Sequence, residues 1–327
     1  MSAPPTISII TACYNSTAFL NRIHASLAKQ EYRRFEWICV DDCSTDATVE
    51  LLLRLKAPGE FGMKVFRLPE NSGGSVAVQM AIARSTGDIV IILDHDDELL
   101  RGALSRIAAN WGAVADDPSL SGLMFQSANP DGTIHGEILP PGERLTYAER
   151  HSRFPKASDA TWAARGDLLR ATATFELMEP LTQFGVVLMD LTRGRPMLVV
   201  GEKPVRIYHR DNPKSQTNFE RISRKSVITY AMLADRIDRS SLANPGFWLR
   251  YIATMLRYSK LVFGRWFECL RWIKRPVIRA LVVVCWPLGV LTRLGRPAPT
   301  ITQMRPYRAD TIERIDNLKA GRHQRQP

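Results

Sequence analysis

The first 111 residues alternate between short, largely apolar runs and stretches in which apolar residues recur at helical spacing. Strands are predicted over 6–11, 35–41, 63–68 and 88–93. Helices are predicted over about 17–30, 44–55, 75–85 and 99–111. Because nearly continuous apolar strands alternate with helices, we expect a parallel sheet that is covered on both faces.

Polar clusters follow three of these strands. They read "ACYNS" after the first strand, "DDCSTD" after the second and "DHDDE" after the fourth. Ligands of parallel sheets bind beyond the carboxyl ends of the strands. We therefore expect the three clusters to line one crevice.

The cluster "DHDDE" crowds four carboxylates into five positions, where like charges repel one another. Asp94 and Asp96 have the spacing to face one hard cation, either Mg²⁺ or Mn²⁺, with substrate phosphates as further ligands. Asp97 and Glu98 are expected only to begin the next helix, because acidic residues are favourable at a helix N-terminus.

The other two clusters suggest a pocket for a nucleotide base. Asp42 stands at the end of the second strand, where its carboxylate can accept a hydrogen bond from a ring N–H. Tyr14 and Asn15 follow the first strand, where a ring and exposed backbone can line the pocket. Three neighbouring residues are expected to form turns and caps instead: Asp41, Ser44 and Asp46.

The order "TISIITACYNS", "FEWICVDDCSTDAT" and "LPENSGGSVAVQMAIARSTGDIVIILDHDDEL" resembles the family 2 glycosyltransferases, inverting enzymes that use nucleotide sugars. The resemblance covers about 5–112 strongly and 155–215 faintly. It implies an α/β fold of the GT-A (Rossmann-like) type, with a mostly parallel sheet flanked by helices. A C-terminal basic amphipathic helical extension follows this sheet. The implied divisions are a nucleotide-sugar-binding half (1–112), an acceptor-binding half (113–240) and the C-terminal region (241–327).

The resemblance also implies roles for particular residues. Asp42 would hold the base of the nucleotide, and Thr11 and Tyr14 would border it. Asp94 and Asp96 would form the DxD-type metal element for Mg²⁺ or Mn²⁺, with Asp96 as the direct ligand. A nucleotide-sugar donor is implied, with a UDP-sugar preferred, together with a glycan or lipid-linked acceptor.

Two features of the family are missing. The sequence at 77–79 is Ala-Val-Gln, where the family often has Ala-Arg-Asn, and "FELMEPLTQFGVVLMDL" lacks the Glu-Asp pair that supplies the catalytic base. Glu179 is the first candidate for the base and Glu176 the second. His209 or Arg210, in "IYHRDNPKS", would reach the diphosphate.

The net charge of +11 is concentrated near the C-terminus. Residues 1–120 carry 11 Lys/Arg and 15 Asp/Glu, whereas residues 250–296 carry 10 Lys/Arg and one acid, Glu268. The chain shows none of the usual nucleic-acid-binding signatures, so no nucleic-acid partner is expected.

The C-terminal charge accompanies aromatic and aliphatic residues at helical spacing. The longest uncharged apolar run, Ala280–Leu291, is broken by Pro287 and is too short for the ~20 residues of a membrane span. One interpretation is an amphipathic segment in the headgroup region of an anionic membrane surface. The alternative is a helix that packs on the catalytic domain.

Two further features concern location. The N-terminus has no basic segment typical of a secretory signal, and the five cysteines form no CxxC pair. We expect reduced, mostly packed thiols in a cytoplasmic protein, peripheral at the inner face of the cell membrane.

The sequence predicts a glycosyltransferase of cell-surface polysaccharide or glycolipid assembly. Two alternatives remain open at this point. A metal-dependent nucleotidyl or phosphoryl transferase also needs paired Asp residues, although "NSGGS" lacks the Lys of a phosphate-binding loop. The other is a noncatalytic sugar-nucleotide-binding homologue, which the missing Glu-Asp pair favours.

Overall fold

The computed structural model describes residues 3–157, 160–172, 184–201, 203–212, 221–222, 224–237, 244–291 and 300–301. The strands are β1 Ile7–Cys13, β2 Phe35–Asp41, β3 Gly62–Arg67, β4 Ile89–Ile92, β5 Glu98–Leu99, β6 Gly122–Phe125, β7 Ser127–Ala128, β8 Arg144–Leu145, β9 Thr161–Arg165, β10 Met197–Val199, β11 Arg206–Ile207, β12 Arg221–Ile222 and β13 Thr300–Ile301.

The helices are α1 Leu20–Ala28, α2 Thr48–Lys56, α3 Gly74–Arg84, α4 Ala103–Asn110, α5 Gly112–Ala115, α6 Tyr147–Arg153, α7 Gly166–Thr172, α8 Gly185–Leu191, α9 Arg224–Ala234, α10 Pro245–Phe263, α11 Pro276–Val284 and α12 Trp286–Leu291. A 3₁₀ helix covers Glu268–Trp272. Within the described residues, no helix has both the length and the apolar character needed to cross a membrane.

Eight strands form the central sheet, in the order β3-β2-β1-β4-β9-β6-β10-β8. The first four are mutually parallel, as the alternating pattern predicts. The strand β9 runs antiparallel to both β4 and β6, and β8 runs antiparallel to β10. The predicted mostly parallel α/β sheet is confirmed, and it includes strands from both 1–112 and 113–240.

Side chains alternate across this sheet into two cores. In β1, Ile7 and Ile9 lie in a core that includes Leu20 and Leu27 of α1. The intervening residues point the other way, and Ile10 lies in a core on the opposite face. Both faces of the parallel half are therefore covered by apolar packing.

The predicted helix over 99–111 begins later than expected, at Ala103. Leu99 instead belongs to β5, which pairs antiparallel with β11 in a small sheet of the order β5-β11-β7. Gly102, with φ +72°, then turns the chain into α4. The loop after β4 therefore joins a second sheet before it enters a helix.

Further along the chain, "FGVVLMDLTRG" contains α8, and the run "PMLVVGEKPVRIYHR" contains β10 and β11. The helix α9, Arg224–Ala234, precedes the C-terminal helices. The five cysteines are free thiols, and four of them are buried.

A third core joins the C-terminal helices to the sheet domain. It contains Ile228 of α9, Trp248 and Leu256 of α10, and Val282 of α11. Val186 of α8 lies in the same core. The C-terminal helices therefore form a packed layer on the sheet domain, not a detached tail.

Candidate active site

The loops after β1 and β2 are fastened to each other. The backbone N–H of Asn15 donates to the Ser44 hydroxyl (2.9 Å), and the Asn15 side-chain oxygen accepts from the backbone N–H of Thr45 (2.9 Å). Asn15 has φ +51°, a conformation that asparagine adopts more readily than most residues. The neighbouring Tyr14 ring is exposed at the carboxyl end of β1, where it was expected.

Thr11 does not share this position. Its side chain is fully buried within β1, and its hydroxyl accepts a hydrogen bond from the indole N–H of Trp37 at 2.9 Å. The structure therefore does not bring the Thr11 side chain to the crevice beside Tyr14.

Asp42 lies at the carboxyl end of β2, and its carboxylate is buried. One oxygen accepts from the backbone N–H of Ser72 (2.6 Å) and the other from that of Gly73 (2.8 Å). Gly73 has φ +93° and precedes α3, so this turn requires glycine. Asp42 thus anchors the "NSGG" turn to the end of β2. Its contact with a nucleotide base stays a prediction.

The neighbouring polar residues form turns and caps, as predicted. Asp41 is fully buried and accepts from the backbone N–H of Ser44 at 3.0 Å. Asp46 accepts from the backbone N–H of Thr48 at 3.1 Å and from the hydroxyl of Thr17 at 2.7 Å. These bonds fix the loop that carries Asp42.

The acid segment, Asp94–Glu98, follows β4 and contacts the strand β11. The Arg206 side chain is only 3% exposed, and its Nη1 lies 3.6 Å from Asp94 Oδ2 and 3.4 Å from Asp97 Oδ2. Arg206 Nε also donates to the Ser127 hydroxyl at 3.1 Å, which fixes the guanidinium. One buried cation therefore faces two of the four acids.

Further contacts join the acid segment to the residues after β11. The backbone N–H of His209 donates to Asp97 Oδ1 at 2.9 Å. The imidazole Nε2 of His209 lies 3.0 Å from Glu98 Oε1. The Asn212 amide donates to Asp96 Oδ2 at 2.7 Å. The chain therefore holds these acids in a fixed arrangement.

Arg22 of α1 completes the enclosure of the acid segment. Its guanidinium donates to the backbone oxygen of Asp96 and lies 2.7 Å from Asp211 Oδ2. The acid segment is thereby held between α1 and the residues that follow β11.

The expectation that Asp97 and Glu98 begin the next helix is wrong. Glu98 lies in β5, and α4 begins only at Ala103. Asp97 is 1% exposed and faces Arg206, while Glu98 contacts His209. These two acids join the loop after β4 to β11, because their partners are Arg206 of β11 and His209 just after it.

The electrostatics of Asp97 follow from its burial. Burial raises the pKa of its carboxyl to about 8, Arg206 opposes that rise, and the charges of Asp94 and Asp96 add to it. The Asp94 side chain, by contrast, is about half exposed and open to a ligand. The segment therefore has a buried acid that supports the fold and an accessible acid at the crevice.

The remaining predicted residues occupy different positions. His209 is engaged with Glu98, and Arg210 donates to His135 Nε2 at 3.3 Å. Whether either reaches a diphosphate stays a prediction. Glu179 and Glu176 lie outside the described residues.

The donor set of the acid segment fits a hard cation. Among the described residues, no group of three or more His, Cys, Asp and Glu side chains is placed to hold a metal. Mg²⁺, however, often takes only one or two protein carboxylates and completes its coordination with substrate phosphates. Asp94 and Asp96 supply such a pair of oxygen donors beside the crevice. The site matches a cation that arrives with a diphosphate.

Sequence reasoning missed Arg22, Arg206 and Asn212. The available signal was Arg206, a charged residue inside the strand-like run "PVRIY". A charge that must be buried in a strand usually has a partner of opposite charge. The sequence does not show which acid that partner is.

The fold is of the GT-A glycosyltransferase type. It is similar to the crystal structure of Staphylococcus aureus TarS residues 1–349 in complex with UDP-GlcNAc, with a TM-score of 0.59 and 18% identity. The match covers 98% of this chain and 93% of that chain. At this identity the likeness shows the fold alone.

The sequence comparisons indicate which family of glycosyltransferases the chain resembles. Residues 8–166 match the model of glycosyl transferase family 2, a stretch of just under half the chain. The putative teichuronic acid biosynthesis glycosyltransferase TuaG of Bacillus subtilis is 36% identical over 143 residues, 44% of this chain and 56% of TuaG. The poly(ribitol-phosphate) beta-N-acetylglucosaminyltransferase TarS of S. aureus is 34% identical over 105 residues, 31% of this chain and 18% of TarS. Over residues 8–166 the chain is similar to glycosyl transferase family 2. The matches cover about half of TuaG and less than a fifth of TarS.

Proposed function

We propose that the protein transfers a sugar from a UDP-sugar to an acceptor hydroxyl with inversion at the anomeric carbon. The observation that carries the proposal is the position of Tyr14, Asp42, Asp94 and Asp96 at the carboxyl ends of β1, β2 and β4, inside the family 2 region. The choice of UDP is supported by the crystal structures of TarS residues 1–349 in complex with UDP and with UDP-GlcNAc.

The proposed reaction is an in-line displacement. The acceptor oxygen bonds to the anomeric carbon while the bond from that carbon to the diphosphate oxygen breaks, and UDP leaves with the electron pair. A carboxylate takes the proton of the acceptor hydroxyl, and Glu179 is the first candidate for this base and Glu176 the second. Holding donor and acceptor together supplies much of the rate enhancement.

The residues of the crevice have distinct proposed roles. Tyr14 and Asp42 bind the base, with Asp42 acting from the end of β2. Asp94 and Asp96 would hold Mg²⁺ or Mn²⁺, with Asp96 as the direct ligand. When bound, the cation offsets negative charge that develops on the leaving diphosphate. Asn212 donates to Asp96 Oδ2 at 2.7 Å, so the cation would be held through Asp96 Oδ1.

His209 and Arg210 are proposed to approach the diphosphate from the end of β11. The backbone of His209 is fixed by Asp97 at 2.9 Å, so the residues after it leave the small sheet in a defined direction. Three residues after His209, the Asn212 amide reaches Asp96 of the acid segment at 2.7 Å. The proposal predicts that a bound diphosphate lies between these two segments.

The acceptor is proposed to be a glycan or a lipid-linked glycan of cell-surface polysaccharide assembly. The names of TuaG and TarS, which concern teichuronic acid and poly(ribitol-phosphate), support this class of acceptor. A cytoplasmic position at the inner face of the cell membrane suits such an acceptor. The excess of cations over 250–296 favours contact with an anionic membrane surface there.

A donor screen tests the proposal. The purified chain is mixed with UDP-, GDP- and dTDP-sugars and either Mn²⁺ or Mg²⁺, and release of nucleoside diphosphate is measured against release of pyrophosphate from nucleoside triphosphates. We expect UDP release from one UDP-sugar, faster when acceptor is present. Release of pyrophosphate alone would instead identify a nucleotidyl transferase.

The base assignment needs its own variants. Glu179→Gln is expected to abolish transfer and to keep UDP binding, whereas Glu176→Gln is expected to have the smaller effect on transfer. Full transfer activity in both variants would reject both residues as the base.

A further inference from the structure

The helices α11 and α12 have two apolar stripes. One stripe, Ile278, Val282, Cys285 and Gly289, is buried against the rest of the helical layer. A Cβ on Gly289 would lie 3.0 Å from Leu256 Cβ, so this glycine lets α12 approach α10 closely. This stripe accounts for the packing of the two helices.

The second stripe faces outwards. Val277, Leu281, Val284, Leu288 and Leu291 repeat at intervals of four and three residues, which places them along one side of a helix. Val277 is 73% exposed and Val284 is 76% exposed, and only Leu281 is partly covered. We call these five residues the exposed stripe.

Other exposed sides of α11 and α12 are also apolar. Val283, Trp286 and Val290 are exposed large side chains on these two helices. Exposed apolar surface of this kind marks an interaction site. Tryptophan is enriched where a protein meets the interface between a bilayer and water.

Exposed cations stand at the start of α11. Lys274, Arg275 and Arg279 lie within six positions and are exposed, whereas Arg271, just before them, is exposed but paired with Glu268 at 2.6 Å. Arg275 and Arg279 donate to the backbone oxygens of Ile237 and Ile273, both at 2.6 Å, which holds their charges beside the helix. The surface therefore combines apolar area with fixed positive charge.

The helical layer that carries α11 and α12 is joined to the sheet domain. Asp190 of α8 forms an ion pair with Arg236 at 2.9 Å, and the Asn244 amide donates to the backbone oxygen of Ser152 at 2.7 Å. Val186 also lies in the core of the helical layer. A partner bound to the exposed stripe would therefore hold the whole catalytic region in one orientation.

We propose that α11 and α12 form a docking face for an anionic lipid bilayer. The exposed stripe enters the boundary between headgroups and acyl chains, and the cations at Lys274 and Arg275 contact lipid phosphates. At 1.5 Å per residue, residues 276–291 extend about 24 Å, less than the ~30 Å of hydrocarbon, so they lie in the plane of the membrane. The inference rests on the proposed inner-membrane location and names the surface that makes the contact.

Vesicle flotation with the full chain tests this docking face. The probes are vesicles of phosphatidylglycerol with phosphatidylcholine, and vesicles of phosphatidylcholine alone. We expect binding to the anionic vesicles that weakens with added salt, because salt screens the attraction between the cations and the anionic headgroups. A double variant, Val284→Asp with Leu288→Asp, should bind at least about tenfold more weakly, since two apolar side chains no longer enter the bilayer.

A matched control comes from α2, where Leu53 is an exposed leucine at 54% exposure. Leu53→Asp adds the same kind of charge to an apolar surface position and should leave vesicle binding unchanged. Circular dichroism and UDP affinity, measured on every variant, should match the unmodified chain. Equal vesicle binding by the double variant and the unmodified chain would overturn the proposal.

Other occupants of the face give different results. If the face binds a second copy of the chain, sedimentation velocity would show a dimer that the double variant converts to monomer, without vesicle binding. If residues after 291 make the lipid contact, a chain truncated after Leu291 would lose binding while the double variant keeps it. Equal binding to neutral vesicles would remove the role of the cations. Each of these results overturns the proposal.

Failure of the proposed catalytic function would be visible separately. A chain that binds anionic vesicles through the exposed stripe but binds no UDP would contradict the glycosyltransferase proposal and support the docking face. A chain that releases UDP from a UDP-sugar but does not bind vesicles would do the reverse.

Discussion

The acid segment and the docking face both concentrate charge of one sign in a short stretch, yet the fold treats them differently. The acids of Asp94–Glu98 meet Arg22, Arg206 and His209 of the same chain. The cations at the start of α11 stay exposed beside an exposed apolar stripe. In one region the fold supplies the opposite charge, and in the other the surface presents its charge to a partner.

The contrast indicates what each region can do. Charges that are matched inside a fold are held at fixed distances, which suits a site that must position a cation and a diphosphate. Exposed charges act over a Debye length and suit attraction to an extended anionic surface. The following changes test the contrast, beginning with the largest expected effect.

Removing the buried cation should strongly destabilise the protein. Above about pH 8, where the buried Asp97 carboxyl is ionised, Arg206→Ala leaves Asp97 without its charge partner, and breaking such a pair costs about 3–5 kcal/mol of unfolding free energy. Urea unfolding measures the loss. Arg206→Lys keeps a cation near Asp97 and should lose less. A change below about 1 kcal/mol in Arg206→Ala would show that the acid segment does not depend on this internal cation.

Two adjacent residues of α11 separate its buried and exposed stripes. Ile278→Ala should lower the free energy of unfolding by about 2–5 kcal/mol, because Ile278 packs in the core of the helical layer. Val277→Ala, one position earlier, should change it by no more than about 0.5 kcal/mol. Vesicle flotation should show the reverse order, with the larger loss of vesicle binding for Val277→Ala. Equal destabilisation by both would mean that Val277 is covered in solution.

The pH dependence of stability should reveal the buried acid. The folded chain keeps the proton of Asp97 up to about pH 8, whereas an aspartate in the unfolded chain releases it near its ordinary pKa of 3.8. Between pH 3.8 and about pH 8 the folded state therefore binds more protons than the unfolded state. The contribution of Asp97 to the unfolding free energy falls as the pH rises towards 8. Asp97→Asn should flatten this fall. Urea unfolding between about pH 5 and about pH 8 without divalent cations tests this, and parallel curves for both proteins would contradict it.

Neutralising one exposed cation should have the smallest effect. Lys274→Gln is expected to weaken binding to anionic vesicles by about 1 kcal/mol, roughly fivefold, and to leave the free energy of unfolding unchanged. Lys56→Gln, at the end of α2, is the matched control and should leave both quantities unchanged. Loss of stability in Lys274→Gln would place this cation with the internally matched charges.

The strands β1 to β4 and the crevice at their ends could be predicted from sequence, because apolar runs and polar strand ends are local features. The role of Asp97 could not be predicted, because its partner His209 lies 112 residues further along the chain. Local reasoning assigned Asp97 to a helix N-terminus, and only the pairing of β5 with β11 shows otherwise.

The C-terminal region illustrates a second limit. The sequence offered membrane contact or packing on the domain for the whole basic stretch. The structure shows packing for α10, whose residues Trp248, Ile252 and Leu256 are buried, and an exposed apolar stripe on α11 and α12. Both stretches have apolar and basic residues at helical spacing, so only the position of neighbouring helices separates them.

The central claim is that the acid segment binds a cation together with a nucleoside diphosphate. Titration calorimetry of UDP with and without Mn²⁺, on the unmodified chain and on Asp96→Asn, tests it most directly. Asp116→Asn, at an exposed acid that follows α5, serves as the control. We expect Mn²⁺ to tighten UDP binding in the unmodified chain and in Asp116→Asn, and we expect Asp96→Asn to lose this gain. An equal gain from Mn²⁺ in Asp96→Asn would contradict it.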